Sequence, residues 1–426
     1  MYRRMLLVIV LILAAGTAWG QAPSTPSEGE STKELLERIE KLEKRVVELE
    51  AKAGTTAAAL STAPAASPAQ NPARNEPATG IQRSQASESA AQQAIVQEAE
   101  THYPSLAIRG FGDVDFSATN QKGTLSGFNL GQLDLQLASP LSRKISYFGE
   151  ITFNAQPAGY MVEVERSFIR YDYNDHFKLS FGRYHTPIGY WNTAFHHGTW
   201  LQTTVERPEM VNEDVAFVPI HMVGFLAEGS IPSGGAGLYY NFGVGNGRGD
   251  IISRPGDAGD NNNNRAWVAN VFARPARLYG LQFGASVYRD KIISPADGRN
   301  FREWITSAHV VWTKETPEIL AEFANSQHQD ILTAQVFNSP AFYVQFAYRL
   351  PWSERALKPY YRFEYIRLAQ GEPILTLTGT DLTGSTLGIR YDISSFAAFK
   401  SEYRNTRCLA GEPRVNGVFF QTSFTF

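Results

Sequence analysis

The sequence predicts an all-β transmembrane β-barrel of about 16 antiparallel strands. One reason is that apolar and polar residues alternate along many short segments from residue 104 to residue 426. A second is that the last segment alternates up to an aromatic final residue, Phe426. A third is an N-terminal export signal with no later apolar run of about 18 residues, the length that a membrane helix needs. Because lipid cannot satisfy open sheet edges, an exported β-protein that enters a membrane must form a closed barrel.

The export signal occupies residues 1–20. A positively charged start precedes an apolar core at residues 5–15, and residues 18–20 provide a small-x-small cleavage site. The next residue, Gln21, is not a cysteine, so nothing indicates a lipoprotein. We therefore expect an exported protein.

Composition excludes two other classes of protein. The net charge of −3 is too balanced to indicate nucleic acid or a polyanionic partner. The single cysteine, Cys408, cannot form an internal disulfide framework. No cofactor and no nucleic-acid partner are expected.

Residues 31–52 predict an α-helical coiled coil in the periplasm. Its apolar positions alternate spacings of four and three residues, which places them at the a and d positions of a heptad repeat. β-branched residues at a with leucine at d favour two strands. A single helix stabilised by i,i+4 pairs of Glu with Lys or Arg is the alternative. The a and d residues are Leu35, Ile39, Leu42, Val46 and Leu49.

Two tandem motifs in this helix resemble those of short trimeric coiled coils. Residues 38–43 (Arg-Ile-x-x-Leu-Glu) and residues 45–50 (Arg-Val-x-x-Leu-Glu) both match the pattern R-h-x-x-h-E, in which h is hydrophobic. In such trimers the arginine packs along the seam and pairs with the glutamate of a neighbouring chain. The resemblance implies a homotrimer.

Residues 53–100 are rich in Ala, Ser, Pro, Gln and Thr and contain almost no aromatic or branched residues. Such a segment cannot bury enough apolar surface to fold. We expect a disordered spacer between the coiled coil and the barrel domain, residues 104–426.

In the barrel domain, no segment predicts a helix. Each clear strand pairs an apolar face with a polar one, as where Tyr361 and Phe363 alternate with Arg362 and Glu364. A transmembrane barrel has alternating segments of about ten residues with a lipid-facing side and a polar lumen, whereas a soluble sandwich of this length would need several domains. An even strand number places both barrel ends in the periplasm. Strands are expected near residues 106, 130, 149, 166, 180, 225, 240, 269, 285, 308, 321, 345, 362, 389, 401 and 421.

Two local patterns carry a family resemblance. The last strand resembles the closing strand of bacterial outer-membrane barrels, in which the terminal Phe, here Phe426, belongs to the signal read by the barrel assembly machinery. Residues 182–189 (Gly-Arg-Tyr-His-Thr-Pro-Ile-Gly) resemble the G-[QR]-[FY]-[KR]-x-P-[FI]-G turn of phosphate-selective-porin-like proteins. The basic position of that turn is His185 here, and no dense ladder of Lys and Arg accompanies it, which argues against phosphate selectivity. The resemblance implies a trimeric porin in the outer membrane of a Gram-negative bacterium.

The longest connection, residues 186–221, follows the fifth strand and is expected to be the third external loop. In general porins the third loop folds into the lumen and narrows it. If this loop packs against the polar faces of the late strands, opposite charges confront each other across a narrow aqueous gap and screen solutes. The alternative is a solvated external loop whose acids touch nothing. The expected constriction residues are Glu206, Arg207, Glu209, Glu213 and Asp214 of the loop and Arg362, Arg390, Lys400 and Arg404 of the strands.

Other charged residues of the barrel carry weaker indications. Arg166 and Arg170 share a strand face near Glu150, and they fit an ordinary salt-bridge network in the lumen as well as a solute site. The triplet Arg248-Gly249-Asp250 is a weak indication of an adhesin. No G-x-S-x-G motif and no Ser–His arrangement beyond chance are present, so no enzyme and no catalytic residue are expected.

Half of the histidines gather around the long loop: His185, His196, His197 and His221. Imidazole suits zinc or copper, but no Cys, Asp or Glu has ligand-like spacing to them. We therefore expect no metal site, and we expect these histidines to bond to loop backbone or to line the pore in neutral form.

Together these patterns predict a porin that lets small hydrophilic solutes or ions diffuse passively through a lumen narrowed by the third loop. The alternative is a non-conducting structural or adhesive outer-membrane barrel tethered through its periplasmic stalk.

Overall fold

The computed structural model of the chain describes residues 103–195, 198–408 and 413–426. The predicted signal peptide, coiled coil and spacer lie outside the described residues, as do His196 and His197. Within these ranges, no helix combines the length and the apolar character needed to cross a bilayer.

Sixteen strands form the described part of the chain, as the alternation predicts. Fifteen of the expected positions fall within a strand, and the first strand begins one residue after the expected position 106. The strands are β1 (Ala107–Thr119), β2 (Gly127–Pro140), β3 (Ile145–Gln156), β4 (Gly159–Asn174), β5 (Phe177–His185), β6 (His221–Ile231), β7 (Leu238–Asn246), β8 (Ala266–Ala273), β9 (Leu281–Ile293), β10 (Asn300–Thr313), β11 (Glu318–Asp330), β12 (Val336–Ala347), β13 (Leu357–Ile366), β14 (Leu382–Asp392), β15 (Ala397–Arg407) and β16 (Val415–Thr425).

Helical structure is short wherever the chain is described. The α-helix α1 spans Trp191–Ala194 in the connection between β5 and β6. The 3-10 turns are Glu209–Val211, Gly234–Ala236, Ser353–Arg355 and Leu375–Leu377.

Every strand pairs antiparallel with its sequence neighbours, and β16 pairs with β1 to close the barrel. The last residue takes part in this closure, because Gly110 N donates to Phe426 O (2.9 Å) and Phe426 N donates to Gly110 O (3.0 Å). Closure leaves no unpaired sheet edge. β1 and β16 place the two ends of the barrel domain at the same end of the barrel, here called the termini end.

The alternation expected from the sequence separates the two faces of the wall. Leu387 and Ile389 of β14 are exposed on the outside, whereas Arg390 between Ile389 and Tyr391 is buried inside. On the neighbouring β15, Lys400 is buried. The period of two therefore puts an apolar band outside and charged groups inside.

A buried ionic cluster joins the turns at the termini end. Glu315, in the turn between β10 and β11, accepts two bonds from Arg349 (2.8 and 3.0 Å) and one from Lys358 Nζ (2.9 Å). Arg349 also reaches Asp392 at 2.6 Å. Burial alone would raise the pKa of Glu315, but the Lys358 and Arg349 cations hold that pKa well below its usual range. The cluster thus links three neighbouring turns by charge-assisted bonds.

Closure of the barrel also depends on two glycines beneath the terminal aromatic rings. A Cβ atom at Gly110 would lie 2.3 Å from Phe426 Cζ, and one at Gly112 would lie 2.8 Å from Phe424 Cζ. The rings therefore cover the backbone of β1 directly.

We expect Gly110→Val to displace the Phe426 ring and to destabilise the closed barrel by about 1–3 kcal/mol, the usual cost of overpacking. The matched control is Gly127→Val on β2, because no atom lies within 4 Å of a Cβ there. The measurement is the temperature at which the folded, fast-migrating band is lost on SDS gels. Equal temperatures for the two variants would show that the Phe426–Gly110 contact does not support closure.

Candidate pore site

The connection between β5 and β6, residues 186–220, is here called L3. Its two ends are held together by Asn192, whose amide donates to Thr186 O (2.7 Å) and Ile220 O (3.0 Å). Between them L3 runs across the interior, because Gly189 N donates to Ser286 Oγ on β9 (3.3 Å) and Thr199 Oγ1 donates to Asp113 Oδ1 on β1 (2.9 Å). These partners belong to the inner face of the wall, so L3 lies inside the barrel.

Large apolar side chains anchor L3 in the interior. Trp191 and Phe217 are each almost completely buried. The Trp191 ring meets Tyr343 of β12 edge-on (5.9 Å between ring centres, 90°) and contacts Phe195 at 4.9 Å. Burial of one such side chain contributes about 1.5–3 kcal/mol.

Glu322 of β11 accepts hydrogen bonds from the backbone at the start of α1. Its carboxylate accepts bonds from Tyr190 N (2.5 Å) and Trp191 N (2.8 Å), and from the Tyr343 hydroxyl (2.5 Å). Tyr190 has no side-chain cap of its own at this helix start. Because the first N–H groups of a helix have no partner within it, Glu322 supplies the acceptor that the sequence of L3 lacks.

Three basic residues of the wall bind backbone carbonyls of L3. Arg390 donates to Trp200 O (2.7 Å) and Gln202 O (2.8 Å). Lys400 donates to Thr204 O at 2.9 Å and also bonds to Thr199 O. A third cation, Arg362, donates to Glu206 O (2.8 Å) and Arg207 O (3.2 Å). These cations therefore meet the loop through its backbone rather than through its carboxylates.

Acidic residues of the same wall bind backbone N–H and hydroxyl groups of L3. Glu402 accepts from Val205 N at 2.6 Å, and Glu364 accepts from Glu209 N at 2.7 Å. Thr203 Oγ1 donates to Glu318 at 2.7 Å. The wall thus presents cations to carbonyls and anions to amides along one stretch of loop.

The five charged residues predicted for the loop have different surroundings. Arg207 and Glu213 form a pair at 3.4 Å. Glu209 is half-buried, and burial raises the pKa of its carboxyl, helped by the nearby Glu364 charge. Glu206 and Asp214 are exposed.

The fourth predicted wall cation, Arg404, bonds to a wall acid rather than to the L3 backbone. Its Nε donates to Glu402 at 2.8 Å, and it lies within electrostatic reach of Glu206. Arg404 and Glu206 are thus one predicted pair of opposite charges that lie near each other. Arg404 bonds to Glu402 instead of to the backbone of L3.

On the other side of the lumen, the predicted trio separates into two groups. Arg166 Nε lies 2.6 Å from Glu150 Oε2, and Gln136 donates to the same carboxylate at 2.9 Å. Arg170 instead pairs with Asp172 (3.0 Å) and Glu228 (3.7 Å).

His185 and His221 meet where L3 begins and ends, with ring centres 5.2 Å apart. His221 Nε2 lies 3.2 Å from Glu165 Oε2, and Glu213 brings a third potential metal ligand within 4.8 Å. Arg183, however, places a guanidinium nitrogen 3.2 Å from His221 Nδ1. Because a guanidinium only donates, Nδ1 accepts this bond, so a neutral His221 carries its proton on Nε2, the atom that lies near Glu165. A histidine that binds a metal through one nitrogen usually donates from the other, whereas Nδ1 of His221 faces the donor Arg183.

A second network ties three connections together at the end of the barrel opposite the termini. Arg248, just after β7, bonds Glu303 of β10 (3.0 and 3.1 Å) and Phe217 O of L3 (3.2 Å). The ring of His328 bridges Glu303 (3.0 Å) and Glu372 (2.6 Å) of the β13–β14 connection. Because carboxylates accept, both ring nitrogens donate and the imidazole is positively charged.

Arg248 belongs to the Arg-Gly-Asp triplet noted in the sequence. Its side chain is fully buried, so this arginine does not present itself to a receptor. Burial alone would lower its pKa, but the Glu303 carboxylate holds the pKa of Arg248 above the ordinary value.

The sequence analysis did not identify the wall acids that accept hydrogen bonds from L3. It also did not identify the ionic network that joins the connections at the end of the barrel opposite the termini. Glu318 and Glu322 stand four positions apart on β11, a spacing that places them on one face of a strand. That spacing was a usable signal for the wall acids. Nothing local indicated the pairing of His328 with Glu372, because the two lie 44 positions apart.

No protein-family model matches the chain, and no curated protein matches its sequence. Solved structures match its fold. The anion-selective porin from Comamonas acidovorans has a TM-score of 0.56 at 11% identity, over 76% of this chain and 100% of that one. The trimer form of OmpT, an outer membrane protein of Vibrio cholerae, has 0.51 at 12% identity, over 76% and 100%. OmpF of Salmonella typhi, in complex with daunomycin, has 0.50 at 12% identity, over 75% and 97%.

The chain has the porin fold. At these identities the likeness shows the fold alone. Within this porin fold, L3 is held by backbone contacts to charged wall residues, and two of its acids remain exposed.

We expect Glu322→Gln to loosen the start of α1 in this porin fold. The amide nitrogen would face an N–H that the carboxylate now accepts, and a bond to a charged group contributes about 1.5–3 kcal/mol. Hydrogen–deuterium exchange of the peptide covering residues 188–195 should therefore accelerate, while exchange in the strands stays unchanged. Glu354→Gln, at an exposed position in the β12–β13 turn, is the control. Unchanged exchange at residues 188–195 would contradict the role assigned to Glu322.

We expect His328→Gln to release the connection between β7 and β8. A glutamine cannot donate to both carboxylates, and removing one partner of a buried ion network costs roughly 3–5 kcal/mol. Trypsin should then cut after Arg248, which Gly249 follows, faster by at least about tenfold, since 1.4 kcal/mol already changes an opening equilibrium tenfold. His176→Gln, at an exposed turn, is the control. Equal cleavage rates in the two variants would show that the network does not hold this connection.

Proposed function

We propose that the protein is an outer-membrane porin through which small hydrophilic solutes or ions diffuse passively. The observation that carries the proposal is a closed sixteen-stranded barrel with an apolar exterior, a charged interior and one long connection folded inside. The anion-selective porin from Comamonas acidovorans, which shares the fold, supports the same class of function.

In this proposal L3 forms the constriction, and its side chains Glu206, Arg207, Glu209, Glu213 and Asp214 line the path of the ions, while Arg362, Arg390 and Lys400 hold its backbone. The exposed acids Glu206 and Asp214 act on passing ions most strongly. Glu209 contributes less charge, because burial raises the pKa of its carboxyl. Glu213 is compensated by Arg207 at 3.4 Å.

The remaining parts of the proposal concern assembly. The protein forms a homotrimer in the outer membrane of a Gram-negative bacterium, with the stalk of residues 31–52 in the periplasm and residues 53–100 as a spacer. The tandem Arg-h-x-x-h-Glu motifs support the trimer. The aromatic terminal strand supports recognition by the barrel assembly machinery, and the exposed apolar band supports contact with lipid.

Conductance of the purified protein in planar bilayers tests the proposal. We expect stepwise currents from the wild type. Glu206→Gln combined with Asp214→Asn should shift the reversal potential toward anions, because two exposed negative charges leave the path of the ions. The shift should shrink in molar salt, where the screening length falls to about 3 Å.

The matched control is Asp250→Asn combined with Glu354→Gln, which removes two exposed acids outside L3. Equal shifts in both variants would contradict a constriction at L3. Absence of stepwise current from folded protein would reject the channel and favour the non-conducting structural or adhesive barrel.

A further inference from the structure

A cavity of about 330 Å³ lies between L3 and the termini end of the barrel. Its walls come from β4 to β9, and L3 contributes Pro187, Gly189 and Thr193. The volume falls within the roughly 300–1,000 Å³ typical of small-molecule sites. The charged wall residues that bind the backbone of L3 belong to β11–β15. The side of the lumen formed by β4–β9 therefore stays open.

The charged side chains that line this cavity are mostly cations. Arg166, Arg170, Lys178 and Arg274 contribute to it, and among the described lining residues Glu228 is the single acid. Arg166 is compensated by Glu150, and Arg170 by Asp172 and Glu228. The positive charge of the cavity therefore exceeds the acid available to neutralise it.

Arg274 is the residue with no acidic partner. Its Nε donates to Gln282 Oε1 at 2.8 Å, and its guanidinium packs over the rings of Phe272 (4.9 Å) and Tyr239 (5.3 Å). Among the described residues, Arg274 forms no ion pair with a carboxylate, and the ionisable groups close to it include the neutral phenols of Tyr190 and Tyr239 and the imidazole of His309.

The side chain of Arg274 is thus fixed in position while its charge stays uncompensated. The two rings beneath it are stacked at 5.3 Å with 13° between their planes, which gives the guanidinium a flat support. Burial lowers the pKa of Arg274, which reflects the loss of water around its charge. A partly buried cation without an acidic partner is energetically unfavourable. An anion that enters the cavity supplies that partner.

We propose that Arg274, together with Lys178, forms a binding site for a small oxyanion, a carboxylate or a phosphate, in this cavity. Because Nε is occupied by Gln282, the two terminal nitrogens remain to face the anion, and a guanidinium binds two oxygens in one plane. Phe168, Phe272 and Leu226 of the lining accommodate an apolar part of the solute. The role of this site in selecting a permeating solute rests on the proposed channel function.

The test is equilibrium dialysis of the folded full-length protein in detergent against benzoate and against inorganic phosphate. Arg274→Gln should weaken binding by at least about tenfold, or about 1.4 kcal/mol, because the charge that binds the anion is lost. Arg277→Gln is the matched control, since this exposed arginine lies in the same turn and does not line the cavity. Its affinity should stay within about twofold of the wild type, a difference under 0.5 kcal/mol. Preference for benzoate over phosphate would indicate that the apolar lining takes part.

Arg274→Lys keeps the charge and loses the planar fork, so its affinity should lie between those of the wild type and Arg274→Gln. It also keeps the test open if the glutamine variant fails to fold, which heat-dependent gel mobility reports. Failure of the wild type to bind either anion, or equal binding by wild type and both Arg274 variants, would overturn the site. Binding without conductance in bilayers would reject the channel and leave the oxyanion site in place.

Discussion

A chain segment that lies inside a barrel must satisfy its backbone donors and acceptors without joining the sheet. L3 meets this constraint through the charged side chains of the wall. Arg390 and Arg362 bind its carbonyls, while Glu322 and Glu402 bind its amides. Each contact pairs a full charge with a backbone dipole, which is stronger than a bond between neutral groups and holds the loop in one path. Two other connections bind to that path, because Arg248 donates to Phe217 O and Thr378 Oγ1 donates to Val215 O.

The same arrangement decides which charges remain for a solute. Lys400 is completely buried by the carbonyls that it binds, so it presents no surface to water. Glu206 and Asp214 stay exposed, and Arg274 stays without an acidic partner. A count of charged residues along the strands therefore overstates the charge that a passing ion meets, because Arg362, Arg390 and Lys400 are bound to the backbone of L3.

Ionic clusters secure the connections at both ends of the barrel. At the termini end, Glu315 binds Arg349 and Lys358 from the β12–β13 turn and the strand that follows it. At the opposite end, Arg248 and His328 join Glu303 from either side. Replacing such buried groups one at a time leaves a charge without a partner, which is why each cluster favours a single arrangement of its connections.

The alternation of residues along the strands determined the barrel from sequence alone. Leu387 and Arg390, for example, fall on opposite faces because the side-chain period of a strand is two, a property that neighbouring residues set. The length of L3 and its position after β5 were also readable, as were the wall cations Arg362, Arg390 and Lys400. What these cations bind was decided by the tertiary structure, because Lys400 and Thr204 are 196 positions apart. No periodicity encodes a contact between such distant residues: it exists only once the closed barrel brings L3 against the wall, where buried backbone groups compete for every charge within reach.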